Sequence, residues 1–292
     1  MVFYVIGNGF DLHYGLKTRY KDFKEYLSNV SSETEVKMTN MFNKYDELDP
    51  EDILEWNNLE DMLSVFCNLD GEEILEEAYE NAEDDDDKAA YFESPAWNVE
   101  YYTQYIDVFK EKFVEWIGKI DNKISKDDYF FPNPEDYILT FNYTNTIEDN
   151  YLINNSNILH IHGKVGENII VGHNKYQEPI LYDKSRDQDI DYRDYRAYEE
   201  VNSVLQKASK IFYKDSKKIL KTYTDFFEKI RMCEKVVFLG FSCGKQDEVY
   251  AQNIISHAKY IEFFWHDEQS KENIKRIVRE VNPEISLNLI KW

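Results

Sequence analysis

The predicted fold depends on one stretch near the start of the chain, Val2-Phe3-Tyr4-Val5-Ile6-Gly7-Asn8-Gly9-Phe10-Asp11. Its first five residues are apolar, mostly β-branched or aromatic, and end in Gly-Asn-Gly, which is typical of a buried strand that runs into a tight turn. Apolar residues at helical spacing follow over 12–27, so a helix is predicted after the turn. This geometry can hold a phosphate or a nucleotide, although an ordinary tight turn between a strand and a helix has the same pattern.

The dinucleotide-binding fingerprint of dehydrogenases is not met by this stretch. That fingerprint has a third glycine, where this chain has Leu12, and an acidic residue about twenty positions later at the end of a second strand. Instead, the chain after Leu27 is predicted to stay helical and acidic for roughly a hundred residues. A nucleotide is therefore expected to bind on another α/β plan.

The size and composition of the chain predict a folded protein that binds neither nucleic acid nor membrane. The 292 residues are 42% hydrophobic, which is enough for a large core in one domain or in a domain with a big insertion. The net charge of −23 repels nucleic acid and anionic lipid, and no apolar run reaches the roughly 18 residues that span a bilayer. No signal peptide precedes the first strand, so a cytoplasmic protein is expected.

Three cysteines, Cys67, Cys233 and Cys243, are far apart in the sequence. This usage fits a reduced cytoplasm and predicts neither a disulfide framework nor a zinc knuckle. Only Cys243 falls within a candidate site, and we expect it to be a small buried residue instead of a nucleophile.

The predicted elements indicate an α/β fold with a mostly parallel, Rossmann-like sheet flanked by helices. Helices are predicted over 18–30, 52–68 and 97–124, and strands over 2–6, 137–141, 158–161, 169–172, 235–240, 260–265 and 285–290. Since the pattern shows no strand from about residue 30 to residue 130, a large helical insertion after the first strand is expected there. The predicted domains are an α/β nucleotide-binding domain, 1–30 with 131–292, and a helical insertion, 31–130.

Small and polar residues follow directly after several of the predicted strands. Because the carboxyl ends of parallel strands meet at one edge of a sheet, where ligands bind in such folds, we expect these loops to form one site. The loops comprise 7–11, 140–145, 160–164, 172–174 and 240–247.

The residues of these loops resemble the AbiH family of phage abortive-infection proteins. The opening Gly7-Asn8-Gly9-Phe10-Asp11-Leu12 is similar to the start of that family, and further stretches match in the family's order over nearly the whole chain. These stretches are Gly15-Leu16, Trp56 with Leu59-Glu60, Thr140-Phe141-Asn142-Tyr143-Thr144, His160-Ile161-His162-Gly163-Lys164, Gly172-His173, Gly240-Phe241-Ser242 and Asp247. The resemblance implies an effector of antiviral defence, whose partners would be a phage trigger protein or further copies of this chain.

A more distant resemblance, to sirtuin-like NAD-binding domains, implies the chemistry. The stretches that resemble these domains are Gly7-Asn8-Gly9-Phe10-Asp11, Thr140-Phe141-Asn142-Tyr143-Thr144, His162-Gly163 and Gly240-Phe241-Ser242. Asp11 stands where that family has serine, Thr144 stands where it has aspartate, and the four-cysteine zinc module is absent from the sequence. The resemblance therefore implies a sirtuin-like domain that cleaves NAD in phage defence instead of a protein deacylase. NAD would be the substrate, and no metal is expected.

Asn142 and His162 are the predicted catalytic residues. Cleavage of the nicotinamide–ribose bond builds a cation that resembles the oxocarbenium ion of glycoside hydrolysis. The Asn142 amide would hold the ribose and fix a water molecule, and His162 would accept a proton near neutral pH.

Further residues are predicted to bind NAD without reacting. They are Gly7, Asn8, Gly9, Phe10, Asp11, Thr140, Thr144, Gly240, Ser242 and Asp247. The turn 7–9 would hold the diphosphate, and Gly240 with Ser242 would hold the other ribose or phosphate. Asp11 and Asp247 each have an alternative role as the cap of a helix.

Other interpretations stay open at this point. His160 and His162 are two residues apart, so both imidazoles would face one side of a strand and could bind a metal, as in a metal-dependent nuclease. The domain could also sense a nucleotide without turning it over. Trp56 and Glu60, one turn apart on a predicted helix, are expected to anchor the insertion instead of closing over the site.

Overall fold

The computed structural model describes residues 1–43, 49–67, 96–125, 129–176 and 192–292. The chain forms two compact units, each built from separated segments. The first unit comprises Met1–Phe23, Val114–Ile170 and Asp215–Trp292. The second unit comprises Lys24–Phe113 and Val171–Lys214. The division into 1–30 with 131–292 and a separate 31–130 stays a prediction.

The first unit contains a six-stranded sheet in which all neighbouring strands are parallel. Its strands are β1 (Val2–Ile6), β2 (Tyr137–Thr140), β3 (Ile158–His160), β4 (Lys235–Leu239), β5 (Tyr260–Trp265) and β6 (Ser286–Lys291). The order across the sheet is β3-β2-β1-β4-β5-β6, so the first strand lies near the centre. The predicted α/β class and parallel sheet are confirmed, whereas the finer Rossmann-like or sirtuin-like character stays a prediction.

The register of the strands brings the ends of β1, β2 and β4 level. Ile6, the last residue of β1, pairs with Thr140 of β2 and with Leu239 of β4. Thr140 pairs in turn with His160 at the end of β3. The loops that follow these four strands therefore start side by side at the carboxyl edge of the sheet.

Helices flank the sheet and make up most of the described part of the second unit. The α-helices are Asn8–His13, Tyr20–Val30, Ser32–Asn43, Pro50–Glu55, Leu59–Met62, Ala96–Gly118, Thr146–Asn150, Tyr192–Ile211, Ser216–Thr222, Thr224–Phe227, Glu248–His257 and Glu268–Val281. Short 3₁₀ helices span Leu63–Cys67, Asn155–Asn157 and Glu228–Met232. Among these described helices, none has the length and apolar character needed to cross a bilayer.

The central strand β1 is buried on both faces, as its continuous apolar sequence predicts. Because successive side chains point to opposite faces, Phe3 belongs to one core together with Ile254 of the helix Glu248–His257. Ile6 belongs to a second core on the other face with Phe10 and Ile138. All of these side chains are fully shielded from water, and each such burial stabilises the fold by about 1.5–3 kcal/mol.

The strand predicted over 169–172 was wrong. In the structure this segment is a loop, in which the N–H of Ile170 donates to the carbonyl of His162 at 2.8 Å. Gly172 has a φ of +153°, and the next residue, His173, forms only an isolated bridge with Tyr213. The short apolar segment 169–172 therefore forms local backbone hydrogen bonds and does not pair with a strand of the sheet.

The single helix predicted over 52–68 was also wrong. The chain forms the helix Pro50–Glu55, turns at Trp56 with a left-handed φ of 54°, and continues as Leu59–Met62 and the 3₁₀ helix Leu63–Cys67. Two asparagines follow Trp56, and asparagine favours turns over helix interiors. The helix predicted over 97–124 begins at Ala96 but ends at Gly118, a residue that is costly in helix interiors.

Candidate functional site

The loops after β1 and β4 are held together backbone to backbone. The N–H of Gly7 donates to the carbonyl of Leu239 at 3.0 Å, and the N–H of Gly9 donates to the carbonyl of Gly240 at 2.9 Å. A Cβ atom added to Gly7 would lie 2.5 Å from the Gly240 oxygen, and one added to Gly9 would lie 2.7 Å from the Gly240 Cα. Gly240 itself has a left-handed φ of +62°. The fold therefore requires these three glycines, which we call the glycine junction.

The N–H groups of the glycine junction are already used within the protein. Besides the two bonds above, the N–H of Phe10 donates to the carbonyl of Gly7 at 2.9 Å. Phosphate binding at a glycine turn relies on backbone N–H groups that point at the ligand. Because the N–H groups of Gly7 and Gly9 are bonded within the protein, they do not support the predicted contact with the diphosphate, which stays a prediction. The Phe10 ring is fully buried 5.2 Å from the ring of Phe130, so it lies in the core.

Asp11 is fully buried beside the loop that follows β2. The hydroxyl of Thr144 donates to its Oδ2 at 2.6 Å, and the hydroxyl of Thr146 donates to Thr144 at 3.0 Å. Burial raises the pKa of Asp11, although hydrogen bonds from Thr144, Thr146 and Asn142 and the charge of His160 act in the opposite direction. The cap position of the helix Asn8–His13 is occupied by Gly7, so the capping role considered for Asp11 was wrong.

Asn142 lies in the turn directly after β2 and is almost fully buried. Its N–H donates to the hydroxyl of Thr140 at 3.1 Å, which fixes the turn. Its Oδ1 atom is buried and accepts no hydrogen bond from any residue of the described ranges, and the same holds for Oδ1 of Asp11. We call these two oxygens the acceptor pair. Buried polar atoms nearly always have a partner, so the acceptor pair can accept hydrogen bonds from a donor outside the described residues.

His160 connects Asn142 to a cluster of charges. Its Nδ1 atom lies 2.9 Å from the main-chain oxygen of Asn142, and its Nε2 atom lies 3.0 Å from Oε1 of Glu148. Lys164 donates to the same Glu148 oxygen at 2.6 Å. Burial alone would raise the pKa of Glu148, but the hydrogen bonds from His160 and Lys164 outweigh it and bring this pKa to about 2. Glu148 is therefore a carboxylate at neutral pH.

His162 contacts a different set of residues from His160. Its ring is almost fully buried, with the ring of Phe141 at 5.5 Å and the ring of Tyr250 at 5.7 Å. Its Nε2 atom lies 4.0 Å from Oδ1 of Asp247. The prediction that both imidazoles face one side of a strand was wrong, because β3 ends at His160 and the chain turns before His162.

The loop after β4 contributes one carboxylate to this arrangement. Asp247 is the N-cap residue of the helix Glu248–His257, which is one of the two roles predicted for it, but its side chain makes no cap hydrogen bond. Ser242 is exposed, and its carbonyl accepts from the side chain of Asn273 at 3.1 Å. Cys243 is buried, and burial raises the pKa of its thiol well above the usual value. This confirms that Cys243 is a small buried residue.

The remaining residues of the predicted site differ in exposure. Asn8 is exposed, and its side-chain amide donates to the carbonyl of Thr18 at 3.0 Å. Gly163 has a left-handed φ of +78°, which explains the glycine after His162. No group of three or more histidine, cysteine or acidic side chains within the described ranges could hold a metal ion.

His173 belongs to the second unit and is fully buried there. Its Nε2 atom lies 3.6 Å from the sulfur of Cys67, and burial lowers its pKa to about 4. Trp56 is buried in the same unit, with its ring 5.6 Å from that of Phe42, and Glu60 accepts from Lys214 at 2.9 Å. These contacts fit the anchoring role expected for Trp56 and Glu60.

Sequence reasoning missed three residues of the site. Thr146 and Glu148 lie on the helix Thr146–Asn150, which starts directly after the predicted loop 140–145. Lys164 was inside a predicted loop but had no assigned role. The available signal was that polar residues, Thr146 and Glu148, continue beyond Asn145 on the new helix, which would have extended the site by one turn.

The comparison with known families identifies one match. The family described as "Bacteriophage abortive infection AbiH" matches residues 3–266, which confirms the AbiH resemblance of the loops. No curated protein and no solved structure matched the chain.

Proposed function

The chain belongs to the AbiH family of phage abortive-infection proteins, and we propose that it serves this role by hydrolysing NAD at the nicotinamide–ribose bond. Family membership implies the role in abortive infection. The observation that carries the proposed reaction is the acceptor pair, two buried oxygens on Asp11 and Asn142 that no described residue satisfies. A ribose presents two neighbouring hydroxyl groups, which donate hydrogen bonds of the kind these oxygens lack.

The proposed reaction consumes NAD and water and yields nicotinamide, ADP-ribose and a proton. The C–N bond between nicotinamide and C1 of the ribose breaks, and its electron pair leaves with nicotinamide. The remaining sugar is a cation of the oxocarbenium type, to which water adds. Asn142 would hold the ribose through Oδ1, so that C1 is presented to the water in a fixed orientation.

His162 is the proposed acceptor of the proton that the attacking water loses. Oδ1 of Asp247 lies 4.0 Å from Nε2 of His162, and a negative charge at this distance stabilises the protonated ring. Both residues lie on loops that start at the carboxyl edge of the sheet. Asp11 is the next candidate, because burial raises its pKa towards the range in which a carboxylate serves as a base.

Contacts with the rest of NAD are proposed for the exposed residues of the same edge. Asn8 and Ser242 are exposed. Asn8 lies between Gly7 and Gly9, and Ser242 lies two residues after Gly240. The glycine junction would form the backbone surface of the proposed NAD site next to these two side chains. We assign the diphosphate and the second ribose to these side chains, since the N–H groups of Gly7 and Gly9 are already bonded within the protein.

The test is incubation of the purified protein with NAD, followed by chromatographic measurement of nicotinamide and ADP-ribose. Asn142→Ala should keep the melting temperature and lower the rate by about a hundredfold or more, as loss of one well-placed polar contact commonly does. Asn155→Ala is the matched control, because Asn155 is exposed in a 3₁₀ helix of the same unit. A folded Asn142→Ala protein with normal turnover would remove Asn142 from the mechanism.

Two further experiments distinguish NAD hydrolysis from a metal-dependent reaction and from binding without turnover. Nicotinamide release should continue in excess chelator, because cleavage of an acetal-like bond needs no metal. Activity that is lost with chelator and restored by zinc or manganese would favour a metal-dependent reaction. Calorimetry that finds NAD bound tightly but intact would favour a sensor over an enzyme.

A further inference from the structure

His160 has an acceptor at each of its two ring nitrogens. The main-chain oxygen of Asn142 lies 2.9 Å from Nδ1, and the carboxylate of Glu148 lies 3.0 Å from Nε2. A carbonyl oxygen and an ionised carboxylate can only accept hydrogen bonds. Both bonds therefore exist together only when both nitrogens carry a proton, that is, when His160 is an imidazolium ion.

We infer that His160 is a positioning residue, which as an imidazolium ion holds the main chain of Asn142 and so fixes the amide oxygen that contacts the ribose. This inference rests on the NAD hydrolysis proposed above and adds a residue to it. The imidazole touches the Asn142 backbone, and the acceptor pair lies on the side chain of the same residue and on Asp11. His160 thus acts through Asn142 and contacts no reacting atom.

Charged groups lie close to His160. Glu148 is on the helix Thr146–Asn150, which follows the Asn142 turn, and its carboxylate also accepts from Lys164 at 2.6 Å. Asp11 interacts electrostatically with His160 from the loop after β1. Two carboxyl groups therefore interact with the imidazole, and one of them, that of Glu148, also binds Lys164. Both Glu148 and His160 are largely buried, so solvent competes little with their bond.

Two substitutions separate the two hydrogen bonds of His160. In His160→Asn the side-chain amide nitrogen takes the position of Nδ1, so the contact with the Asn142 carbonyl is kept. In His160→Gln the amide nitrogen takes the position of Nε2, so only the contact with Glu148 is kept. Both variants lose the charge and are similar in volume, which makes each the matched control of the other.

The kinetic test compares kcat and KM for NAD in both variants and in Glu148→Ala. His160→Gln should lower kcat by roughly tenfold or more. His160→Asn and Glu148→Ala, which both keep a donor to the Asn142 carbonyl, should retain most of it, with KM little changed in all three. Glu167→Ala, at an exposed acid after the same loop, should behave as the unaltered protein. Equal rates in His160→Asn and His160→Gln would overturn the inference, because then the Asn142 contact has no separate effect.

A spectroscopic arm does not depend on turnover. In protein labelled with ¹⁵N-histidine, both nitrogens of His160 should show the shifts of a protonated ring, because each has an acceptor. The carbonyl ¹³C signal of Asn142 should move in His160→Gln and stay in place in His160→Asn. A ring with one bare nitrogen, or an Asn142 carbonyl that is the same in both variants, would overturn the positioning role. If the unaltered protein cleaves no NAD while these signals behave as expected, the proposed reaction fails and the hold of His160 on Asn142 stands.

Discussion

The two halves of the carboxyl edge, the glycine junction and the acceptor pair, are built on opposite principles. At the glycine junction, backbone meets backbone, and the N–H groups of Gly7 and Gly9 are hydrogen-bonded across the two loops. At the acceptor pair, side chains carry the polar atoms, and the Oδ1 atoms of Asp11 and Asn142 are buried with no partner among the described residues. The first half is complete as a structure, whereas the second half leaves two buried oxygens that the proposed ligand would satisfy.

The difference shows that a glycine-rich turn need not contain the reactive side chains of the site next to it. Only glycine permits the two loops to approach each other this closely. The contact between the loops therefore explains the glycines without a ligand. The residues proposed to contact the ribose lie outside the glycine junction, Asp11 in the first helix and Asn142 directly after β2. Substitutions in the two halves should therefore separate stability from activity.

The largest effect is expected at the glycine junction. Gly9→Val places a branched side chain where even a Cβ would lie 2.7 Å from the Gly240 Cα, so we expect loss of about 3 kcal/mol or more of unfolding free energy. Denaturant unfolding measures this. Gly118→Val is the control, since a Cβ there meets nothing within 4 Å. A Gly9→Val protein of normal stability that no longer binds NAD would assign the junction to the ligand instead.

On the reactive half of the edge, His162→Ala should lower the rate of NAD cleavage by about a hundredfold or more without unfolding the protein. Histidine ordinarily titrates near neutrality, and its neutral form accepts the proton. The rate of the unaltered protein should therefore rise with pH on the acidic side and then level off, and His162→Ala should lack this rise. His266→Ala, at an exposed histidine, should keep both the rate and the profile. Retention of the acidic limb in His162→Ala would transfer the role of base to Asp11.

The sequence predicted the scaffold of this site better than its chemistry. As expected, the apolar runs over 2–6 and 235–240 give neighbouring strands near the centre of the parallel sheet, and the glycine turns follow them at its carboxyl edge. Such elements depend on local patterns of hydrophobicity and glycine, which can be read without knowledge of distant contacts. The prediction of a strand over 169–172 was wrong because a short apolar run does not determine which segment its backbone hydrogen-bonds to.

The hydrogen-bond network of the site could not be predicted, because it depends on which side chains from different strand ends come into contact. Asp11 and Thr144 are 133 residues apart in sequence and share a hydrogen bond. His160 and His162 look like one pair, yet the end of β3 between them sends each ring to different partners. The role of Glu148 follows only from its distance to His160. Long-range pairs of this kind are set by the register of the strands.

The smallest effect is expected from Asp11→Asn, which should separate stability from activity at a single residue. Burial raises the folded-state pKa of Asp11 above its usual value of 3.8. Between the unfolded-state and folded-state pKa values, the folded protein binds more protons than the unfolded chain. This group therefore makes the free energy of unfolding fall as pH rises through that interval, and above it the whole cost of burying the charge is present.

Asparagine keeps an oxygen that can accept from Thr144 and carries no charge, so Asp11→Asn should be more stable than the unaltered protein at neutral pH, by about 1 kcal/mol. The gain should shrink as pH is lowered towards 3.8, because protonated Asp11 no longer carries a buried charge. Denaturant unfolding at several pH values measures the difference, with the exposed Asp225→Asn as control. The same variant should turn over NAD more slowly, because it alters one member of the acceptor pair. A variant that is less stable at every pH would mean that Asp11 serves the fold through Thr144, as the glycines of the junction do, and that Asn142 alone awaits the ligand.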